Sequence, residues 1–217
     1  MKIFCFTFNA FSENTYVLWD ESGECVIVDP GMTDEEEDSV LFEFIESNNL
    51  KPAAVINTHC HIDHILGNKS TCEQYNIQLW AHELELSTIA RAPVASLMWS
   101  IPYRETPAPH HFIREDSVIR FGNTTLEVRF TPGHAPGHVV FIHHDEKTII
   151  AGDVLFKGSV GRVDLPGSNA QDLVKSIQTQ LYTLDNEYIV YPGHGPETTI
   201  GEEKRVNAFV RESWSAF

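Results

Sequence analysis

Residues 57–68 read NTHCHIDHILGN, and His59, His61, Asp63 and His64 fall within six consecutive positions of that stretch. The run before it, PAAVINT (52–58), is apolar and β-branched enough to read as a buried strand. The cluster therefore sits where a strand leaves its sheet, and loops carried on a rigid scaffold are where sites are built. Cys60 lies between two of the histidines, and in extended chain its side chain points away from theirs. It reads as a core thiol rather than a ligand.

Three further strand exits carry the same kind of residue. TPGHAPGH (131–138) follows TTLEVRFT and places His134, AGDVLF (151–156) follows KTIIAG and places Asp153, and YPGHGP (191–196) follows EYIVY and places His194. Each stands beside glycine or proline, and glycine permits the dihedrals and close approach that aim a side chain into a shared cleft. A single histidine beside a strand is ordinarily just hydrogen-bonded; recurrence at four exits argues for more. Neutral imidazole and carboxylate suit zinc and related borderline ions. Seven ligands, His59, His61, Asp63, His64, His134, Asp153 and His194, are too many for one tetrahedral ion. They suit two ions ~3.5–4 Å apart. Asp153 is the natural bridge, because a carboxylate offers two oxygens.

The remaining histidines do not share this setting. His82 stands at an expected helix start, His110 and His111 in irregular chain, and His143 and His144 at the end of an outer strand beside Asp145. Structural readings are favoured for them. His110 and His111 stay open, as does His138, which could support a ligand from behind.

Working outward, IFCFTF, TYVLW and ECVIVD read as strands, with DPG at 29–31 breaking the sheet. TDEEEDSVLFEFIESNN is an expected helix with Thr33 as N-cap and Val40, Leu41, Phe44 and Ile45 as its buried stripe. Helices are expected over GNKSTCEQYN, from about His82, over 169–184 and over 201–212, and strands at IQLWA, SVIRF and GHVVFIHH. Residues 92–116, with Pro93, Pro102, Pro107 and Pro109, read as irregular. Met98, Trp99 and Tyr103 there could wall a cleft or simply pack on the core. The order of strands and helices implies an α/β fold, an αββα sandwich of two mixed sheets flanked by helices, as one domain over 1–217.

A hydrophobic content of 42% supports an ordinary core, and no run approaches the ~20 apolar residues of a membrane span. The opening MKIFCFTFNAFSENT lacks a signal-peptide pattern, so the expected location is cytoplasmic. The four cysteines show no CxxC spacing and read as buried thiols without disulfides. A net charge of −16 disfavours nucleic acid, and neither that nor a membrane is an expected partner; a small molecule is.

THCHIDH with Gly67, PGH at 132–134, GD at 152–153 and GH at 193–194 resemble the motif series of the metallo-β-lactamase fold superfamily. The resemblance implies a first metal on His59, His61 and His134, a second on Asp63, His64 and His194, and Asp153 as bridge. GDVLFKGSVGRVDLPG and YPGHGPETTIGEEKRVN are similar to the short glyoxalase II-like (hydroxyacylglutathione hydrolase-like) hydrolases. That implies hydrolysis of a thioester such as S-D-lactoylglutathione, with Arg162 as a substrate contact. Asp164 departs from that pattern, standing where the longer enzymes place an aromatic contact, and the chain after His194 is too short for their C-terminal helical domain.

The expected mechanism has two divalent ions, zinc first with iron or manganese also admitted, activating a bridging hydroxide that attacks the acyl carbon. Asp63 would orient that nucleophile or take up a proton. A thiolate leaves without a strong general acid. The rival readings are a persulfide dioxygenase with one iron on His59, His134 and Asp153, a lactonase, and a non-enzymatic metal module. A nuclease, a flavo-diiron protein and a secreted β-lactamase, which places a cysteine where Asp153 stands, are disfavoured.

Overall fold

The computed structural model describes residues 1–210. Six strands form the first sheet: β1 (Lys2–Phe8), β2 (Glu13–Trp19), β3 (Glu24–Val28), β4 (Lys51–Ile56), β5 (Gln78–His82) and β6 (His111–Ile113), in that spatial order. The second runs β14 (Thr198–Thr199), β13 (Ile189–Pro192), β10 (Thr148–Gly152), β9 (Val139–His143), β8 (Thr124–Phe130) and β7 (Val118–Phe121). A two-stranded flap, β11 (Leu155–Phe156) and β12 (Ser159–Val160), stands apart. Both sheets are mixed: β3, β4, β5 and β6 pair in parallel, as do β10 and β13, and the other pairs are antiparallel.

The sheets face each other across one apolar layer. Tyr16, Leu18, Val28 and Ile56 from the first meet Phe121, Val128, Phe141 and Ile150 from the second. Outside the first sheet lie α1 (Glu35–Ser47) and α2 (Asn68–Tyr75); outside the second lie α5 (Ala170–Ser176) and α6 (Ile200–Val206). Between them in sequence come the short α3 (Leu86–Ile89) and α4 (Ala92–Trp99). This is the expected αββα arrangement. No described helix is long and apolar enough to cross a membrane.

Several details differ from the sequence reading. The N-cap of α1 is Asp34, whose Oδ1 accepts the Glu36 and Glu37 amides, while the Thr33 hydroxyl turns to Glu37 Oε2. The buried stripe of α1 is Leu41 and Ile45; Phe44 is half-buried and Val40 is exposed, because the helix offers the sheet only an i, i+4 edge. Residues 92–99 are helical, not irregular: Pro93 lies in the first turn, where a missing N–H costs nothing. Residues 111–113 add β6 to the sheet beside β5. The last helix is Ile200–Val206 followed by a 3-10 turn at Ala208–Val210, and the 211–212 end of the expectation lies outside the described residues. Among the cysteines, Cys25 and Cys60 are buried as expected, Cys72 is half-buried and Cys5 is exposed on the edge strand β1.

Candidate metal centre

The exits of β3, β4, β8, β10 and β13 open on one rim of the sandwich. After β4 the chain makes a 3-10 turn at Ile62–His64, which sends Asp63 and His64 to one side of His59 and His61. The two sheets are stitched together here: the Asn14 amide donates to Gly193 O (2.7 Å) and Tyr16 Oη to Pro192 O (2.6 Å), bringing His194 up to the β4 loop. Gly193 is a position where only glycine fits, since a Cβ would lie 2.2 Å from Asp153 Oδ1 and 2.7 Å from His64 Cε1.

The imidazoles are held by one nitrogen each, which fixes the other. His134 Nδ1 lies 2.8 Å from Arg162 O, His194 Nδ1 3.1 Å from Phe11 O and His64 Nδ1 3.2 Å from Asp29 Oδ2; each partner only accepts, so each Nδ1 carries the hydrogen. Thr58 Oγ1 gives its proton to Asp29 Oδ2 and therefore accepts from His59 Nδ1 at 3.1 Å. Four Nε2 lone pairs are thus left to face inward. His61 joins them through Nδ1, 2.8 Å from His134 Nε2.

Two compact groups result. His59, His61 and His134 form one, Asp63, His64 and His194 the other, and within each the ligand atoms lie within 4.8 Å of one another. Asp29 with His59 and His64 also meets that spacing, but its oxygens are taken by Thr58 and Asn57, so it acts as an anchor. Asp153 spans the two groups. Its Oδ2 is 3.5 Å from both His134 Nε2 and His194 Nε2, and its Oδ1 is 3.5 Å from His64 Nε2.

Those distances are long for hydrogen bonds. His59 Nε2, His64 Nε2 and Asp153 Oδ1 are buried with no hydrogen-bond partner. Orphaned polar atoms this deep are costly unless something else satisfies them. Inward lone pairs from five imidazoles and two carboxylates are what a divalent cation needs, so the residues fit the ions implied by the donor set.

The electrostatics divide along the same line. Burial, followed by neighbouring imidazoles, pushes His59 well down, and burial with His134 brings His61 to about 3. Burial also lowers His134, against Asp153. Burial would lower His64 too, yet Asp63 and Asp153 carry it well above its ordinary value. Burial would raise Asp153 and Asp63, but His64 and His194 together, joined at Asp153 by His134, outweigh it and hold both low. The first group thus offers neutral imidazoles, and in the second the two carboxylates favour a proton on His64 that leaves when a cation enters and frees its Nε2 lone pair.

All seven residues singled out in the sequence meet in this centre. His138 lies behind it: its Nε2 accepts the Asp153 amide at 3.1 Å and its ring stacks on His59 at 4.7 Å. His110 and His111 are elsewhere, exposed, with His111 against Trp80. Arg162 reaches the cavity rim, but its guanidinium is held by Asp164 in two bonds of 2.7 and 2.8 Å. Three supporting residues escaped the sequence reading. Asp29, read as a turn, orients His64 and Thr58. Glu13 is buried with Oε1 3.8 Å from His64 Nδ1. Glu85 is buried and accepts the Cys60 amide at 2.7 Å and the Gly137 amide at 2.6 Å, tying two ligand loops together. Asp29 carried a signal, since VIVDPG has the same strand-exit pattern as the ligands; Glu85 carried none.

Above the centre a cavity of about 580 Å³ opens to solvent. Phe11, Ile62, Ala95, Met98 and Trp99 form one wall. Of the two readings open for Tyr103, the structure shows the core one: it packs on the apolar group around Cys60 and Ile65 and accepts the Thr106 amide.

The sequence pattern of the metallo-beta-lactamase superfamily matches residues 9–194. The chain belongs to that superfamily. Among its superfamily relatives is the hydroxyacylglutathione hydrolase GloC of Haemophilus influenzae, 32% identical, with 97% of this chain and 98% of that protein covered. The solved structure of the BLEG-1 B3 metallo-beta-lactamase is similar with a TM-score of 0.88 at 32% identity, covering 96% of this chain and 99% of that one. That of TTHA1623 in a di-iron-bound form is similar with a TM-score of 0.85 at 35% identity, covering 95% and 99%. Superfamily membership together with the two His/Asp groups makes this a metallo-hydrolase fold that implies divalent metals.

Proposed function

We propose that the chain is a single dinuclear metallo-hydrolase domain that cleaves a thioester such as S-D-lactoylglutathione. The observation that carries the dinuclear reading is the position of Asp153 between the two ligand groups, with Oδ2 toward both His134 of the first and His194 of the second and Oδ1 toward His64 of the second. His59, His61 and His134 would hold one ion, Asp63, His64 and His194 the other, zinc first, with iron equally suited to the donors. Bound there, the pair supplies a Lewis acid and an activated water.

The chain's own residues supply the rest. The Nδ1–H contacts to Arg162 O, Phe11 O, Asp29 and Thr58 keep the rings of His134, His194, His64 and His59 each in one tautomer and orientation. Asp63, with Oδ2 3.2 Å from His194 Nε2, stands at the cavity floor, where it can accept a proton from the attacking water. The apolar wall of Phe11, Met98 and Trp99 excludes water from the acyl group. Identity to a hydroxyacylglutathione hydrolase over nearly the whole chain supports the thioester as substrate class.

The test is turnover by protein of measured zinc and iron content on S-D-lactoylglutathione, glutathione persulfide and a chromogenic β-lactam. Thioester cleavage with two equivalents of metal is expected. Oxygen uptake with the persulfide and no thioester cleavage would make the protein a dioxygenase instead, and cleavage of the β-lactam alone would place it with the lactamases.

A further inference from the structure

The cavity is polarised along α4. Arg91, the residue immediately before that helix, lies at one end and Trp99 at the other. Eight helical residues rise about 12 Å between them. The Arg91 end adjoins Pro166, whose carbonyl accepts from Arg91 Nη1 at 3.1 Å, and Leu165 and Arg162, whose carbonyl holds His134. This is the side of the first ligand group. The Trp99 end adjoins Phe11, with ring centroids 5.7 Å apart in an edge contact, and the Phe11 carbonyl holds His194. Phe156 stands against His194 on the same side. One end of the cavity thus carries cations and the other aromatic surface, with the candidate centre between.

The two cations are not equivalent. Arg162 has both Nε and Nη2 on Asp164, so a ligand carboxylate would have to displace a carboxylate already seated and approach its charge. Among the described residues the Arg91 guanidinium has one hydrogen bond, to a neutral carbonyl, and no carboxylate pairs with it. A planar guanidinium with most of its donors free, on the rim of a cavity whose walls are mainly apolar, is suited to bind a carboxylate. At the other end, Met98 is 74% exposed and Trp99 49% exposed, apolar surface that a bound acyl chain would cover.

From this polarity, and resting on the thioester hydrolase reading above, we infer that Arg91, not Arg162, is the specificity-determining cation, selecting a thioester whose thiol half bears a carboxylate and whose acyl half is an apolar chain lying toward Phe11 and Trp99.

The test uses the metal-loaded protein and two hexanoyl thioesters, one of 3-mercaptopropionate, which is anionic, and one of N-acetylcysteamine, which is neutral. Arg91→Gln should raise KM for the anionic ester about tenfold, leave kcat in place and leave the neutral ester unaffected. Arg91→Lys should restore part of the loss, and Arg162→Gln should change KM less than twofold. Binding of S-hexyl-3-mercaptopropionate, an uncleavable thioether, followed by calorimetry, should weaken about tenfold in Arg91→Gln at unchanged metal content. Equal loss on both esters, undiminished thioether binding in Arg91→Gln, or a larger effect from Arg162→Gln would overturn the assignment. If the native protein binds the thioether through Arg91 but cleaves neither ester, the reaction class fails and the Arg91 assignment stands.

Discussion

The floor and the wall of the cavity are built by opposite means. The floor is made at strand exits: His59, His64 and His134 are buried, fixed at Nδ1 by a hydroxyl, a carboxylate and a backbone carbonyl respectively, around a buried Asp153, with glycines where a methyl group would collide. The wall is made largely by one short helix, α4, whose Val94, Met98 and Trp99 are exposed and whose neighbouring loop, 101–110, is tied down by Arg104 donating to Met32 O. The difference teaches where chemistry and selectivity reside. The floor tolerates almost no change, so it specifies the reaction; the wall can vary without moving a ligand, so it specifies the substrate.

The comparison can be broken first at Asp153. Asp153→Ala removes the carboxylate between the two groups, and we expect loss of metal and of all turnover, checked by elemental analysis of folded protein. Full activity with both ions retained would deny the bridging role. Gly193→Ala comes next: its Cβ would lie 2.2 Å from Asp153 Oδ1, so metal content and turnover should fall nearly as far, although no ligand is altered. Glu85→Ala is milder. It strips the Cys60 and Gly137 amides of their acceptor, leaving two buried donors at roughly 1–3 kcal/mol each. Metal affinity should weaken ~10–100-fold, measured by competition with a chelator, and Glu85→Gln should recover part of it. The smallest effect belongs to the wall. Met98→Ser should raise KM for a hexanoyl thioester about 2–5-fold, the scale of about one buried methylene, with metal content unchanged. A change in metal content there would erase the distinction between floor and wall.

The legible parts of the molecule were those that local sequence specifies. His59, His61, Asp63 and His64 are adjacent in the chain, and His134, Asp153 and His194 each sit in a glycine turn after an apolar strand, so pattern alone brings them to one rim. The αββα layering follows from the same strands. Glu85 was not legible, because AHELELST reads as the solvated start of a helix, and only the tertiary fold buries that carboxylate under two ligand loops. Helix α4 is hidden by its proline: Pro93 reads as a breaker until its place in the first turn is known. Arg162 and Asp164 each stand out in the sequence, but nothing in it shows that two residues so close together occupy one another.

The central claim is that Asp153 joins two cation sites into one centre. Anomalous diffraction from crystals grown with a divalent transition metal tests it most directly. The account predicts two peaks ~3.5–4 Å apart, one among His59 Nε2, His61 Nδ1 and His134 Nε2, the other among Asp63, His64 Nε2 and His194 Nε2, with the Asp153 carboxylate between them. A single peak under saturating metal, or two peaks with that carboxylate turned away from both, would contradict it.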